Sequence, residues 1–182
     1  PGKPPKERWA NNREASYFGS KLHFMRCLYR NTLVEEGFEL RYMTKLPNTE
    51  KERVRQLMQL PSKNTQQGAM QQMGSTTDSS AYYQRILQQP DVLVRIDTSL
   101  LTGDSIAFEI NETTAGLYFT DFLHIIYNRA FEDQLYVQQQ RPFSQAAGKQ
   151  TSSLRLIGGK PIEVLANGAF FDPLDVLIDG YW

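Results

Sequence analysis

The sequence is short of the residue types that most nucleophilic active sites and metal centres use. Its 182 residues include one cysteine and two histidines. A single cysteine excludes an internal disulfide, and with it the class of small disulfide-stapled secreted domains. Structural zinc usually needs four Cys or His ligands and catalytic zinc about three. The sequence therefore predicts no metal centre, and it contains no motif that predicts a cofactor.

The chain also lacks an excess of either charge and a long apolar run. Twenty basic residues balance 20 acidic ones, so we expect no basic surface that would draw the chain to nucleic acid. No apolar stretch approaches the ~20 residues of a membrane helix, and the opening "PGKPPKERW" has no signal-peptide core. We expect no nucleic-acid partner, no membrane span in this chain, and one domain over residues 1–182.

The first third of the chain has helical periodicity. In "ERWANNREASYFGSKLHFMRCLYRN" an apolar stripe recurs at helical spacing, and it consists of Phe18, Leu22, Met25 and Tyr29. We expect this stripe to be buried, with Gly19 marking a break or a close approach by another part of the chain. Threonine and glutamate three residues apart predict capping boxes at Thr32 and Thr49. Residues 62–80 are rich in Gln, Ser, Thr and Gly and predict a flexible loop.

The second half has the composition of strands. Short runs rich in Val, Ile, Phe and Tyr, such as "DVLVRI", "SIAFEI" and "FLHIIYNR", are separated by turn residues. Asn167-Gly168 is the clearest turn, because this pair accepts the positive φ angles of a tight hairpin. These patterns predict an α+β fold in which N-terminal helices pack on a mainly antiparallel β-sheet or meander.

Ser20, His23 and Cys27 have side chains of the types that nucleophilic catalytic sites use. Ser20 lies three residues before His23, and Cys27 lies four residues after it, so a helix would bring all three close together. The spacing is common, however, and "FGSKLHF" lacks the second glycine of a nucleophile elbow. We interpret His23 as a helix-face residue and Cys27 as a core residue, and we expect no catalytic residue.

Three other sequence patterns are candidates for a catalytic or binding site. Glu109 and Glu112 would act as paired acids only at a separation that the sequence does not give. Gly158-Gly159-Lys160 is followed by proline and predicts a turn, not a phosphate loop. Six aromatic residues could line a carbohydrate or peptide groove, although core positions are commoner for such residues: Tyr82, Tyr83, Tyr118, Phe119, Phe122 and Tyr127.

Both ends of the chain resemble one protein family. "NNREASYFGSKLHFMRCLYRNTLVEEGFEL" and "SSLRLIGGKPIEVLANGAFFDPLDVLIDGYW" are similar to the region that follows the transthyretin-like domain in carboxypeptidase-regulatory-like-domain proteins of Bacteroidetes. The resemblance implies the C-terminal module of a longer cell-envelope protein, with the signal peptide and β-sandwich placed before this region. It implies no peptidase activity and no catalytic residue.

These observations together predict a non-catalytic binding or assembly module in the bacterial envelope. The expected partner is an envelope protein or a carbohydrate, and the ligand-binding residues stay unassigned. The alternative is a hydrolase acting on envelope peptides or polysaccharides through Ser20 and His23, or through paired acids.

Overall fold

The computed structural model describes residues 5–59, 76–140 and 146–182. The helices are α1 (Pro5–Tyr17), α2 (Lys21–Tyr29), α3 (Thr49–Gln59), α4 (Thr76–Gln88) and α5 (Gln134–Gln140). The strands are β1 (Phe38–Pro47), β2 (Val92–Ile96), β3 (Ala107–Asn111), β4 (Thr114–Leu117), β5 (Phe122–Phe131), β6 (Lys149–Leu156), β7 (Ile162–Leu165) and β8 (Val176–Gly180). The predicted α+β class is confirmed.

The strands form two sheets. The five-stranded sheet has the order β2-β1-β5-β6-β8, and the three-stranded sheet has the order β3-β4-β7. The strand pairs β1–β5, β5–β6, β6–β8, β3–β4 and β4–β7 are all antiparallel. The chain does not follow a simple meander, because β7 joins the smaller sheet while its chain neighbours β6 and β8 pair in the larger one.

The internal contacts divide the chain into two compact units. The larger comprises Pro1–Thr44 with Ile96–Trp182, and the smaller comprises Lys45–Arg95. Of the loop predicted at 62–80, residues 62–75 lie outside the described residues. Residues 76–80 are not loop, because they form the start of α4.

The core of the larger unit contains residues from α2 and from both sheets. Phe24, Cys27 and Leu28 of α2 are buried in it, and their i, i+3, i+4 spacing places them on one helix face. The predicted stripe was wrong at two of its four positions. Phe18 is 44% exposed and Leu22 is 40% exposed, because the helix breaks at Gly19 and the buried face of α2 is rotated away from Leu22.

The helix pair of the smaller unit, α3 and α4, begins at a cap one residue before the one predicted from the sequence. Asn48, and not Thr49, caps α3, since its side-chain oxygen accepts a hydrogen bond from the Lys51 amide at 3.0 Å. The Asn48 side-chain amide donates to the Pro90 carbonyl at 3.1 Å, beyond the end of α4. The same side chain therefore starts one helix and ties it to the segment that follows the other.

Turn geometry explains where several strands end. Gly168 has φ +82° and closes the predicted Asn-Gly turn, in which the Leu165 amide donates to the Ala169 carbonyl at 2.8 Å. At the start of the chain's first strand, Gly37 has φ +90°. It ends the turn after Thr32, whose carbonyl accepts from the Glu36 amide at 2.9 Å. The turn at Gly168 was predicted from the Asn-Gly pair, and glycine adopts the left-handed conformation at both positions without the strain of a Cβ.

Candidate functional site

The sequence-predicted cluster lies at the turn between α1 and α2. Gly19 has φ +80°, which ends α1 and lets α2 start in a new direction. The Gly19 amide donates to His23 Nδ1 at 3.2 Å. Ser20 caps α2, because its Oγ accepts from the His23 amide at 3.2 Å. Ser20 and His23 are thus both used to build the turn.

His23 is a buried neutral histidine. Its side chain is 3% exposed and contacts four aromatic rings at centroid distances of 4.9 to 5.7 Å: Tyr17, Phe18, Phe38 and Tyr127. Burial lowers the pKa of His23, and this effect outweighs the opposing one of Glu36, whose Oε2 lies 3.7 Å from Nε2. Since Nδ1 accepts a hydrogen bond, the ring proton lies on Nε2.

This arrangement does not form a nucleophile–base pair. A general base for Ser20 needs a free ring nitrogen within reach of Oγ. Nδ1 of His23 already accepts from the Gly19 amide, and Nε2 faces Glu36. Cys27 is buried, and burial raises the pKa of its thiol, so the thiol stays protonated and is a poor nucleophile.

An open cleft of about 1090 Å³ lies directly beside this turn, within the larger unit. Its volume lies just above the range of roughly 300–1,000 Å³ that is usual for small-molecule sites. Aromatic and apolar side chains form much of its lining: Trp9, Tyr17, Phe18, Leu22, Tyr181 and Trp182. Trp182 reaches from the cleft into the core, where its ring lies 5.2 Å from that of Phe24.

Polar groups share the lining of the cleft, and they come from both helices and from β6: Asn12, Arg13, Ser16, Ser20, Lys21 and Gln150. Gln150 is 8% exposed, and its Nε2 donates to the Phe131 carbonyl at 3.3 Å. Its Oε1 has no hydrogen-bond partner among the described residues. A buried amide oxygen without a partner is uncommon in native structures and costs free energy until a donor satisfies it.

Only part of this site is visible in the sequence. Ser20, which lines the cleft, and His23, which is buried at the same turn, stand out by their chemical types. Trp9, Arg13, Gln150 and Trp182 belong to no motif. Both tryptophans of the chain line the cleft. Only the fold shows that the two tryptophans belong to one site, because the sequence places them 173 positions apart.

A second, smaller cleft of about 310 Å³ contains the acids considered as a pair. Glu109 and Glu112 both line it, together with Asp104 and Asn31. Asn31 donates to Asp104 Oδ1 at 2.9 Å. Within the described ranges, no three His, Cys, Asp or Glu side chains are grouped so that they could hold a metal ion.

The remaining predicted candidates lie apart from both clefts. His124 of β5 stands opposite Arg41 and Ser153 on the neighbouring strands, and burial lowers the pKa of His124. Of the six aromatic residues proposed for a groove, Tyr127 and Phe119 are buried in the core. Tyr82 belongs to the smaller unit, where its hydroxyl donates to Glu50 at 2.8 Å.

Comparisons with protein families, with curated proteins and with solved structures find no match for this chain. Of the helices in the described segments, not one has the length and apolar character needed to cross a membrane. The family resemblance drawn from the two ends of the sequence stays a prediction.

Proposed function

We propose that this chain is a non-catalytic ligand-binding module of a bacterial cell-envelope protein. The observation that carries the proposal is the cleft at the α1–α2 turn, which combines exposed aromatic side chains with a few polar and cationic side chains. Sites of this type are concave and mainly apolar, with a few polar groups that orient the ligand. The sequence resemblance supports the location in the envelope.

The chemistry beside the cleft favours binding over catalysis. Ser20 lines the cleft, but the only histidine near it has its Nδ1 committed to the Gly19 amide. A hydrolase that used Ser20 would have to break that bond and open the turn before His23 could accept a proton. A binding module needs no such rearrangement, because the cleft is already formed.

A hydrolase is the second candidate, and one observation favours it: Ser20 is a lining residue of the larger cleft. The two proposals differ in what Ser20→Ala would do. In a binding module, Ser20→Ala weakens the α2 cap by about 1 kcal/mol, and the bound ligand stays uncleaved with or without the serine. In a hydrolase, it abolishes turnover of the substrate.

Arrays of immobilised saccharides and peptides test the proposal directly. Trp9 is 63% exposed, so Trp9→Ala should leave the fold intact while removing one aromatic wall of the cleft. We expect the parent protein to retain a subset of the probes, Trp9→Ala to lose them, and mass spectrometry to find the bound probes uncleaved. Equal retention by Trp9→Ala, or cleavage that Ser20→Ala abolishes, would contradict the proposal. Fractionation of cells that express the full-length protein tests the envelope location.

A further inference from the structure

The charges around the cleft have one sign. Arg13 of α1 and Lys21, the first residue of α2, both line it and are both exposed. Among the described lining residues there is no aspartate or glutamate. The side chains of the cleft therefore carry two positive charges and no negative one among these residues, in a chain whose formal net charge is zero.

The backbone adds to this positive character. Gly19, Ser20, Lys21 and Leu22 line the cleft, so the N-terminal end of α2 opens onto it. A helix N-terminus carries a partial positive charge and free amide groups, which together stabilise an anion. The helix start and the two side chains favour a ligand that carries negative charge.

Gln150 does not present its side-chain oxygen to the cleft. The Oε1 atom is buried, and a Cβ built on Gly19 would lie 2.2 Å from it, so the backbone of the α1–α2 turn covers this atom. Gln150 therefore supports the turn beside the cleft, and the groups that a ligand can reach are the exposed ones.

The exposed aromatic side chains add a second requirement. Trp9 and Phe18 are 63% and 44% exposed, and rings of this kind stack on flat apolar faces. A pyranose ring has an apolar C–H face, and a hexuronate adds a carboxylate on the same ring. A hexuronate therefore supplies both the negative charge and the apolar face, and its hydroxyl groups suit the polar side chains of the lining, such as Asn12 and Ser16.

The sheet argues against a peptide that binds by adding a strand. Gln150 belongs to β6, which pairs with β5 on one side and with β8 on the other. The Thr151 carbonyl also accepts from the Tyr181 amide at 3.1 Å. Strand addition requires an unpaired main-chain edge, whereas β6 has paired neighbours and meets the cleft through the Gln150 side chain.

We propose that the cleft binds an acidic oligosaccharide built from hexuronate units, with the carboxylates held by Lys21, Arg13 and the start of α2, and with the sugar rings stacked on Trp9 and Phe18. This inference deepens the proposed binding function and rests on it. It assigns the ligand class.

The probes are a galacturonic acid tetramer, its methyl ester, a neutral hexose tetramer and a tetraglutamate peptide. Because both tryptophans of the chain line the cleft, tryptophan fluorescence reports binding there without a label, and calorimetry gives the affinity. We expect the tetramer to bind, and its methyl ester to bind at least about tenfold more weakly, a difference of about 1.4 kcal/mol. Raising NaCl from about 0.05 to 0.5 M should weaken only the acidic tetramer, since salt screens exposed charges.

Charge variants locate the contact. Lys21→Gln and Arg13→Gln should each weaken tetramer binding by roughly two- to fivefold, the range expected for exposed ion pairs. Lys160→Gln is the matched control, because Lys160 is also exposed and does not line the cleft, and it should leave the affinity unchanged.

Several outcomes would overturn the ligand class. They are a methyl ester or neutral tetramer that binds as tightly as the acidic tetramer, a tetraglutamate of equal affinity, or a loss in Lys160→Gln equal to that in Lys21→Gln. If a neutral saccharide binds and Trp9→Ala loses it, the binding function stands and only the acidic ligand is wrong. If no array probe binds in a manner that depends on Trp9, the binding function itself fails.

Discussion

Replacing Gly19 with alanine should destabilise the protein through two separable effects. Gly19 has φ +80°, a conformation that costs an L-residue roughly 1–2 kcal/mol. A Cβ there would also lie 2.2 Å from Gln150 Oε1 and 2.7 Å from Tyr127 Cδ1. The Tyr127 ring is 3% exposed and stacks on Phe38 at 4.9 Å, so it has little room to move. Overpacking of this kind costs roughly 1–3 kcal/mol more.

Gly158 offers a matched control for the backbone effect. Its φ is +83°, and a Cβ at this position would have no heavy atom within 4 Å. Gly158→Ala should therefore cost only about 1–2 kcal/mol, and Gly19→Ala about 2–5 kcal/mol. Urea denaturation followed by circular dichroism measures both values, provided that the m-values agree.

The steric clash between a side chain at position 19 and Gln150 can be tested separately by shortening Gln150. In a Gln150→Ala background, the Cβ of alanine at position 19 has lost its closest contact, so the cost of Gly19→Ala should fall. A double-mutant cycle measures this coupling. A difference between Gly19→Ala and Gly158→Ala of less than about 0.5 kcal/mol, with no rescue by Gln150→Ala, would refute the close approach of Gly19 to Gln150 and Tyr127.

Three further predictions concern the core, a helix cap and the two histidines. Leu28→Ala should cost about 2–5 kcal/mol because Leu28 is 2% exposed, whereas Leu22→Ala on the same helix should cost about 1 kcal/mol; equal losses in denaturant midpoint would contradict the assigned buried face. Asn48→Ala should cost about 1 kcal/mol and Thr49→Ala clearly less, as thermal unfolding can show; the reverse order would restore the cap predicted from sequence. Burial lowers the pKa of His23 and of His124 below 6.5, so the unfolded chain binds protons first as the pH falls. Stability should then be fully present above about pH 6.5 and decrease below it. Denaturation at pH 7.5 and 5.0 should show a smaller pH dependence in His23→Gln than in the parent, and an unchanged dependence would exclude a buried neutral His23.

Local patterns predicted the strands and turns well, because their signals lie within a few residues. The Asn167-Gly168 turn and the antiparallel strands depend on φ preferences and on alternation, and both are visible in the sequence. The division of these strands between two sheets depends on which distant strand each one pairs with, and alternation does not encode that choice. The prediction of one domain over residues 1–182 stays a prediction beside the two compact units.

The buried face of α2 shows why the helix prediction failed in part. Phe18 and Leu22 fit a continuous helix from Trp9 onward, but the positive φ of Gly19 restarts the helix at Lys21 with a different face inward. The sequence marked Gly19 as a break without giving the angle. His23 is buried at this turn, where its Nδ1 accepts a hydrogen bond from the Gly19 amide. Helical periodicity alone does not predict that contact.

The cleft was the least predictable part of the molecule. Its walls come from α1, the α2 turn, β6 and the segment after β8, so no short motif contains it. Ser20 and His23 were recognised for their chemical types, yet the structure uses them to hold the turn. The charged groups that we assign to the ligand, Arg13 and Lys21, are ordinary residue types, and only their position beside the cleft indicates a role.

The central claim is binding without cleavage at the α1–α2 cleft, and one NMR titration tests it most directly. The two indole N–H signals, from Trp9 and Trp182, report the cleft while the anomeric proton signals of the galacturonic acid tetramer report its integrity in the same sample. We predict that both indole signals shift in a saturable manner and that the anomeric signals persist unchanged for hours. Indole signals that stay in place throughout the titration, or new reducing-end signals that Ser20→Ala abolishes, would contradict the account.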